Sequence, residues 1–295
     1  METPVDGIYT HISMDDYRSW DAIASSDLSA LRHSPARYQY RKTHPSAETP
    51  AQKLGTAAHA AVLEPELFAS TYQLAPQPTD EYRDKCERNG RSTKGWTNTK
   101  AYHEAAADLE AHGHTLLKQA DLDASRAIAA AVASHPIGRD LMAASIGTEV
   151  SVLATDPEGR RRKIRPDVLI PSAGMIVDIK TARDPRPEAF ARDSAKYGYH
   201  RSAHYYLDTM MFVSEVPRYE HYVFFVVCPE PPHEIGCYTL NADAMELGLI
   251  QTEALLEKLT ACETANSWPA HNGQMEEINL PGWVYAQWEK EELNQ

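Results

Sequence analysis

An α/β fold, a mixed β-sheet flanked by helices with an N-terminal helical region, is predicted by three observations on this sequence. Apolar residues recur at helical spacing through much of the first half of the chain. Short runs rich in β-branched and aromatic residues then gather between Thr148 and Val227. A further long helical stretch follows, so the order is helices, a strand meander, then helices.

In chain order, residues 15–42 read as helical, with Ser26 placed to cap a helix beginning at Asp27. Arg32, Arg37, Arg41 and Lys42 make that stretch locally basic. Leu54 to Phe68 has the apolar spacing of a buried helix and carries His59. Residues 75–98 are polar, with Pro76, Pro78, Gly90 and Gly95, and are expected to form a mobile loop near a substrate. Two Ala-rich helices are expected near 98–112 and 121–134, the second ended by His135-Pro136. Strands follow at Thr148–Ala154, Arg160–Ile170 and Met175–Thr181, then helices at Pro187 to Lys196 and Tyr199 to Phe212. Strands at Tyr219–Val227 and Ile235–Leu240 precede a helix from about Asp243 to Thr264, and a tail rich in Trp and Pro is expected to pack back on the core. A single domain over residues 1–295 is expected, with 8–147 as its helical part and 148–295 as its sheet core.

The segment Lys163 to Ala182 carries the most chemistry. Two strands, Lys163–Ile170 and Met175–Thr181, are joined by a turn at Pro171-Ser172-Ala173-Gly174. With Ser172 and Ala173 at the tip, Pro171 pairs with Gly174, and the same count sets Asp167 opposite Asp178. Directly opposed side chains lie about 5 Å apart at Cβ, and two like charges so placed repel unless something positive sits between them. Strand alternation puts Lys180 on the face of Asp178 and turns Ile179 into the core. Two carboxylates and an ammonium converging on one point suit a divalent metal and a water held for attack on phosphorus. An Asp/Glu-x-Lys tripeptide alone arises by chance roughly once or twice in a chain of this size. The Pro-Asp at hairpin spacing and the apolar flanks Val168, Leu169, Ile176 and Val177 separate this one from a solvated strand face.

Pro166-Asp167 followed by Asp178-Ile179-Lys180 resembles the signature of the PD-(D/E)xK nuclease superfamily. Gly55-Thr56-Ala57-Ala58-His59 resembles the Gly-x-x-x-His motif of its RecB-like branch. More narrowly, the chain is similar to the nuclease domains of the phage and prophage exodeoxyribonuclease VIII (RecE) family. The opening supports this through Tyr9 to Tyr17, Ser25-Ser26-Asp27-Leu28-Ser29-Ala30-Leu31 and Ser34-Pro35-Ala36-Arg37-Tyr38. The likeness runs from about residue 8 to Trp268 and the Pro281-Gly282-Trp283 region.

The resemblance implies a PD-(D/E)xK core, with Asp167, Asp178 and the backbone carbonyl of Ile179 as metal ligands and His59 as a further ligand or organiser. Mg²⁺ is the natural ion for oxygen ligands, and a nitrogen ligand makes Mn²⁺ a credible substitute. Lys180 would orient the attacking water and stabilise charge on the phosphate. Glu149, alternating with Val150 and Val152 on the preceding strand, is a candidate to complete the acidic shell. Arg165, on the strand face of Asp167, is a candidate phosphate contact, as are Arg161 and Arg162 beside it. Related nucleases often carry Gln-x-x-x-Tyr on the helix after the lysine; here Tyr206 matches the tyrosine and Ser202 stands at the glutamine position. His200 and His204 stand four residues apart, but no third ligand is evident, and they read as helix-surface or DNA-proximal residues.

By the same resemblance the activity is end-dependent hydrolysis of linear duplex DNA, 5′ to 3′, leaving 3′ tails for a RecT-like single-strand annealing recombinase. A homo-oligomer, in the form of a tetrameric ring, is implied; a Cas4-like or endonucleolytic nuclease, or a non-catalytic DNA-binding or assembly protein on the same fold, is the alternative. A net charge of −13 opposes phosphate binding unless charge is segregated. Arg160-Arg161-Arg162-Lys163-Ile164-Arg165 packs five basic residues into six, and Arg183, Arg186, Arg192, Lys196 and Arg201 follow. Acid concentrates elsewhere, with Glu276, Glu277, Glu289, Glu291 and Glu292 near the C-terminus, so a basic channel in an acidic exterior is expected. No apolar stretch follows a basic N-terminal segment, and the longest apolar run, Tyr222–Cys228, is strand-sized. The expectation is a cytoplasmic protein away from membranes. Cys86, Cys228, Cys237 and Cys262 are widely spaced, which fits reduced thiols and argues against an iron–sulfur cluster.

Overall fold

The computed structural model describes residues 4–44, 48–213, 218–270 and 275–292. Its strands are β1 (Gly7–Tyr9), β2 (Ile23–Ala24), β3 (Tyr72–Leu74), β4 (Thr115–Leu117), β5 (Gly147–Thr148), β6 (Ser151–Thr155), β7 (Arg161–Ile164), β8 (Val168–Ile170), β9 (Met175–Thr181), β10 (His221–Val227) and β11 (Ile235–Tyr238). They form a five-stranded sheet in the order β11-β10-β9-β8-β5, a four-stranded sheet in the order β1-β6-β7-β2, and the pair β3-β4. The α/β class with a mixed sheet is therefore observed.

The five-stranded sheet is mixed because β9 and β10 run parallel, joined by the helices Pro187–Tyr197 and Tyr199–Met211, while the other neighbours are antiparallel. A parallel pair needs such a crossover, and the crossover covers a face of the sheet. On that face Ile176, Tyr222, Phe224 and Val226 pack with Ala203, Tyr205 and Met210 of the crossover and with Leu255, Leu256 and Leu259 of the long helix Ala242–Ala265. The opposite face buries Val177, Ile179, Phe225 and Val227 against Ala58 and Leu63 of the helix Pro50–Leu63 and Ile128 and Val132 of the helix Gln119–Ser134. Strand parity thus sends Ile179 into one core while Asp178 and Lys180 face the other side.

The hairpin register follows the turn count. Val168 pairs with Val177 and Ile170 with Met175, and continuing the register sets Asp167 across from Asp178. A 3-10 turn at Pro171–Ala173 closes it, with Gly174 at φ 56°. A Cβ on Gly174 would also stand 2.5 Å from the carbonyl oxygen of Arg218, so both conformation and space require glycine there. Gly248 serves a different purpose: a Cβ there would lie 2.4 Å from the His200 carbonyl, so its absence lets the long helix approach the crossover.

Four expectations need correction. Thr148–Ala154 and Arg160–Ile170 are not continuous strands. Both break at the same level, at Glu149-Val150 and Arg165-Pro166-Asp167, where the ribbon passes from the four-stranded sheet into the five-stranded one. The register is the same on either side, Val152 with Ile164 and Gly147 with Leu169, and the bend is stitched by Glu149 N–H to Asp167 O (3.0 Å) and Val150 N–H to Pro166 O (3.1 Å). Pro166 has no N–H for a ladder and Glu149 adopts φ 52°, which together turn the ribbon. Secondly, the helix Ser25–His33 starts before Ser26, with the Asp27 carboxylate accepting the Ala24 N–H at 2.8 Å.

Thirdly, residues 75–98 are not a loop: they contain the helix Asp80–Arg88, capped by the Thr79 hydroxyl, and a 3-10 segment Thr93–Asn98. Trp96 anchors that region, buried with its indole N–H donating to Pro76 O at 2.8 Å. Fourthly, the tail packs back only in part. Trp268 packs on Tyr38 with ring centroids 5.5 Å apart, but Ile278, Leu280, Trp283, Tyr285 and Trp288 are exposed, the last three on the helix Gly282–Glu292. Among the described residues, no helix is long and apolar enough to cross a membrane.

Candidate active site

The ribbon bend and strand β9 bring four of the five catalytic candidates together, and the helix Pro50–Leu63 supplies the fifth. Asp167 sits at the bend, and its Oδ2 accepts the Ile179 N–H at 2.6 Å. The N–H and C=O of one strand residue point toward the same edge, so the Ile179 carbonyl is aimed to the same side. His59 Nδ1 lies 3.6 Å from Asp167 Oδ2. Ligand atoms of His59, Glu149 and Asp167 all fall within 4.8 Å of one another, a spacing at which one cation can be shared. Asp178 lies outside that trio and turns to Lys180, whose Nζ stands 2.5 Å from Asp178 Oδ2.

The electrostatics bear the strain of like charges. Burial, and then the neighbouring Asp178, push the Asp167 carboxyl up to about 7. Burial and Asp167 likewise raise Glu149, against the opposing pull of Arg165. Tight packing, and then Lys180, lower His59 and favour its neutral, metal-binding form. Burial works to lower Lys180, but Asp178 and Asp167 outweigh it and its pKa is raised. A crowded, buried acidic cluster beside an imidazole whose pKa is lowered fits a hard divalent cation.

The predicted DNA contacts fare differently. Arg165 is mostly buried and committed inward: its Nε donates to Glu149 Oε2 at 2.7 Å, and its Nη1 to Ile12 O (3.0 Å) and Ser151 Oγ (2.5 Å). It positions Glu149. Arg162 is buried between Asp156 Oδ2 (2.9 Å) and Asp208 Oδ2 (2.5 Å), and Arg161 donates to the Pro4 carbonyl. Lys163 caps the carbonyls of Tyr17, Arg18 and Trp20. Internal partners thus engage much of the basic run, and Arg162, buried between two carboxylates, is turned away from the basic lining expected of it.

Ser202 and Tyr206 do reach the site. They line a cavity with Asp178 and Lys180, and the Ser202 hydroxyl shares a 2.9 Å hydrogen bond with Ser25. His200 instead pairs with Gln251 Oε1 at 3.0 Å, away from any ligand cluster. Sequence reasoning missed Tyr199, whose ring lies 5.4 Å below Lys180 Nζ, and Tyr222, buried against Asp178. Tyr222 shares strand parity with Phe224, which pairs with Asp178, and that parity was the available signal.

Residues 24–281 match the model of the PDDEXK-like domain of unknown function (DUF3799). The chain belongs to this family. The match spans both the helix bearing His59 and the hairpin bearing Asp167, Asp178 and Lys180. Among solved structures, the DUF3799 chain is similar to a "Putative exonuclease" from Eubacterium rectale, with a TM-score of 0.56 and 14% identity over 92% of this chain and 96% of that one. At that identity the likeness speaks to fold. No curated protein matches the chain.

Proposed function

We propose that this DUF3799 protein is a metal-dependent exodeoxyribonuclease that degrades linear duplex DNA from its ends. The observation that carries the proposal is the convergence of Asp167, Asp178 and Lys180 with His59 and Glu149 at one bend of the sheet. Asp167, Asp178, His59 and the Ile179 carbonyl would hold Mg²⁺, with Mn²⁺ as a substitute, and Glu149 would close the shell. Such an ion supplies Lewis-acid polarisation of the phosphoryl oxygen and a water of lowered pKa.

The chain's own residues do the rest. Lys180, held protonated by its two carboxylate neighbours, orients the water and offsets charge developing on the phosphate; it does not serve as the base. Arg165 fixes Glu149, and the Asp167–Ile179 hydrogen bond fixes the carboxylate to the strand that carries Asp178. His59, its pKa lowered by burial and Lys180, contributes a nitrogen ligand. Ser202 and Tyr206 border the substrate side.

The sequence resemblance to RecE nuclease domains supports 5′ to 3′ polarity, 3′ single-stranded products, a RecT-like annealing recombinase as partner, a cytoplasmic location and a ring-shaped homo-oligomer. The decisive experiment incubates purified protein with Mg²⁺ and compares duplex labelled at one 5′ or 3′ end with covalently closed circles. Release of 5′ label with circles intact supports the reading. Cutting of circles would replace it with an endonuclease, and no cleavage with Mg²⁺ or Mn²⁺ would leave a DNA-binding role.

A further inference from the structure

A duplex needs more free positive charge than the basic run beside the site can offer. Arg162 and Lys163 of that run are buried, and the whole chain carries a net charge of −13. A different stretch is better placed. From Arg88 to His103 the chain has no acidic residue, although it holds 42 elsewhere. This stretch belongs to a lobe, residues 75–114, that leaves the core at the end of β3 and re-enters it at β4. We propose that Lys85, Arg88, Arg91 and Lys94 of the lobe grip backbone phosphates of the intact duplex, away from the bond being cut. The inference rests on the nuclease reading and adds a second point of attachment for its substrate.

All four cations are exposed. Lys85 and Arg88 lie three residues apart on the helix Asp80–Arg88, a spacing that makes their side chains neighbours. Gly90, at φ 59°, then turns the chain so that the Arg91 N–H reaches back to Cys86 O at 2.8 Å. Lys94 follows, its N–H donating to the Ser92 hydroxyl at 3.2 Å. Other cations of the lobe are already committed, Arg83 to Asp80 at 3.2 Å and Lys100 to Glu104 at 3.3 Å. Among the described residues no carboxylate, Asp84 and Glu87 of the same helix included, pairs with Lys85, Arg88, Arg91 or Lys94. Trp96 holds the loop in shape, its buried ring packed on Tyr82 (5.2 Å) and Tyr102 (6.3 Å). At the root of the lobe, Leu74 and Leu117 pack with Ala57, Ala60 and Ala61 of the helix that carries His59. A duplex gripped by the lobe is thereby tied to a metal-ligand helix.

The surface chemistry favours a phosphate backbone over a protein. Around the cations stand Asn89, Ser92, Thr93, Thr97 and Asn98, all exposed. Hydroxyl and amide side chains, with Lys and Arg, make the usual contacts to phosphate oxygens. Between Leu67 and Ile137 no large apolar side chain is exposed. A protein interface is built around a buried aromatic or aliphatic centre, and the lobe offers none. Phosphate contacts carry no base sequence, so the grip suits an enzyme that consumes whatever duplex it meets.

The test follows binding of the full chain to a labelled duplex of several helical turns by fluorescence anisotropy, over a range of NaCl. Divalent metal is chelated so that no strand is cut. Each phosphate contact adds about 0.9 to the slope of log affinity against log salt. Arg88→Gln, Arg91→Gln and Lys94→Gln combined should therefore flatten that slope by about two to three and weaken binding by roughly a hundredfold at low salt. Arg88→Lys with Arg91→Lys should keep the wild-type slope, because counterion release counts charges. Arg83→Gln, which removes a cation already paired with Asp80, should leave the slope where it was. Arg91→Glu, a single exposed change, repeats the measurement should the triple variant lose its fold by circular dichroism. A wild-type slope in the folded charge variants overturns the grip and turns the lobe toward an acidic protein partner. Weaker binding at an unchanged slope, not restored by the lysine variant, means a structural role and overturns it too. Cleavage of linear DNA alongside wild-type slopes in the variants would leave the nuclease reading standing without the grip. A flattened slope with no cleavage under Mg²⁺ or Mn²⁺ would support the grip and remove the nuclease reading.

Discussion

Metal binding should release a proton from Asp167, and the pH range of that release follows from the site. Burial and Asp178 push its carboxyl up to about 7, from a reference near 3.8. Only the carboxylate is a ligand, so the apparent affinity for Mn²⁺ or Mg²⁺ should fall roughly tenfold between pH 8 and pH 6. An ordinary aspartate would be fully ionised across that range and give no change. The same shift acts on the metal-free fold with a definite sign. A carboxyl whose folded pKa exceeds its unfolded value stabilises the protein below about pH 4, and that contribution is lost as pH rises through about 7. The loss amounts to roughly 4 kcal/mol at most for a shift of this size. Calorimetric Mn²⁺ titrations at pH 6, 7 and 8 on wild type and Asp167→Asn, paired with thermal melts of metal-free protein, measure both. An affinity independent of pH, or an Asn variant with the wild-type slope in its melts, would refute the account.

Lys180→Ala should lower cleavage by about two to three orders of magnitude, the scale of one removed charge-stabilising donor, while leaving Mn²⁺ binding intact. Wild-type activity should show no decline from lysine deprotonation up to pH 10, because the Lys180 pKa is raised. Removing Arg162, which is buried between Asp156 and Asp208, should cost about 3–5 kcal/mol in urea unfolding, as expected when one partner of a buried pair is lost. A folded Arg162→Ala at low temperature should keep the wild-type salt dependence of DNA binding; a shallower slope would return Arg162 to the DNA surface. Gly174→Ala should lose about 1–3 kcal/mol from the left-handed backbone alone, more with the close approach to Arg218, and a neutral melt would contradict the turn geometry.

Much of the site was legible because a hairpin register is a matter of counting. Once Pro171 and Gly174 flank the turn, the opposition of Asp167 to Asp178 and the common face of Asp178 and Lys180 follow from strand alternation. The fold class was equally legible from the order of patterned segments. The bend was not, because a strand crossing between two sheets keeps its alternation and differs only at Glu149 and Pro166. The basic run misled for a different reason: Asp208, which neutralises Arg162, lies on a distant helix that local composition cannot bring near. The contribution of Tyr199 and Tyr222 depends on β9 and β10 being parallel neighbours, a long-range pairing that no short motif encodes.

The bent ribbon makes the site a gauge of how two sheets are held against each other. Glu149 and Asp167 stand where both halves of one hairpin leave the four-stranded layer for the five-stranded one, linked by only two backbone hydrogen bonds across the crossing. Lys180 and Asp178 belong wholly to the second layer. A small rotation of the layers would pull the acidic residues away from the lysine while every strand stayed paired. Chemistry should therefore fail under mild denaturant or pressure well before circular dichroism registers any loss of sheet. A molecule that grips both layers would set catalytic rate without touching a reacting atom.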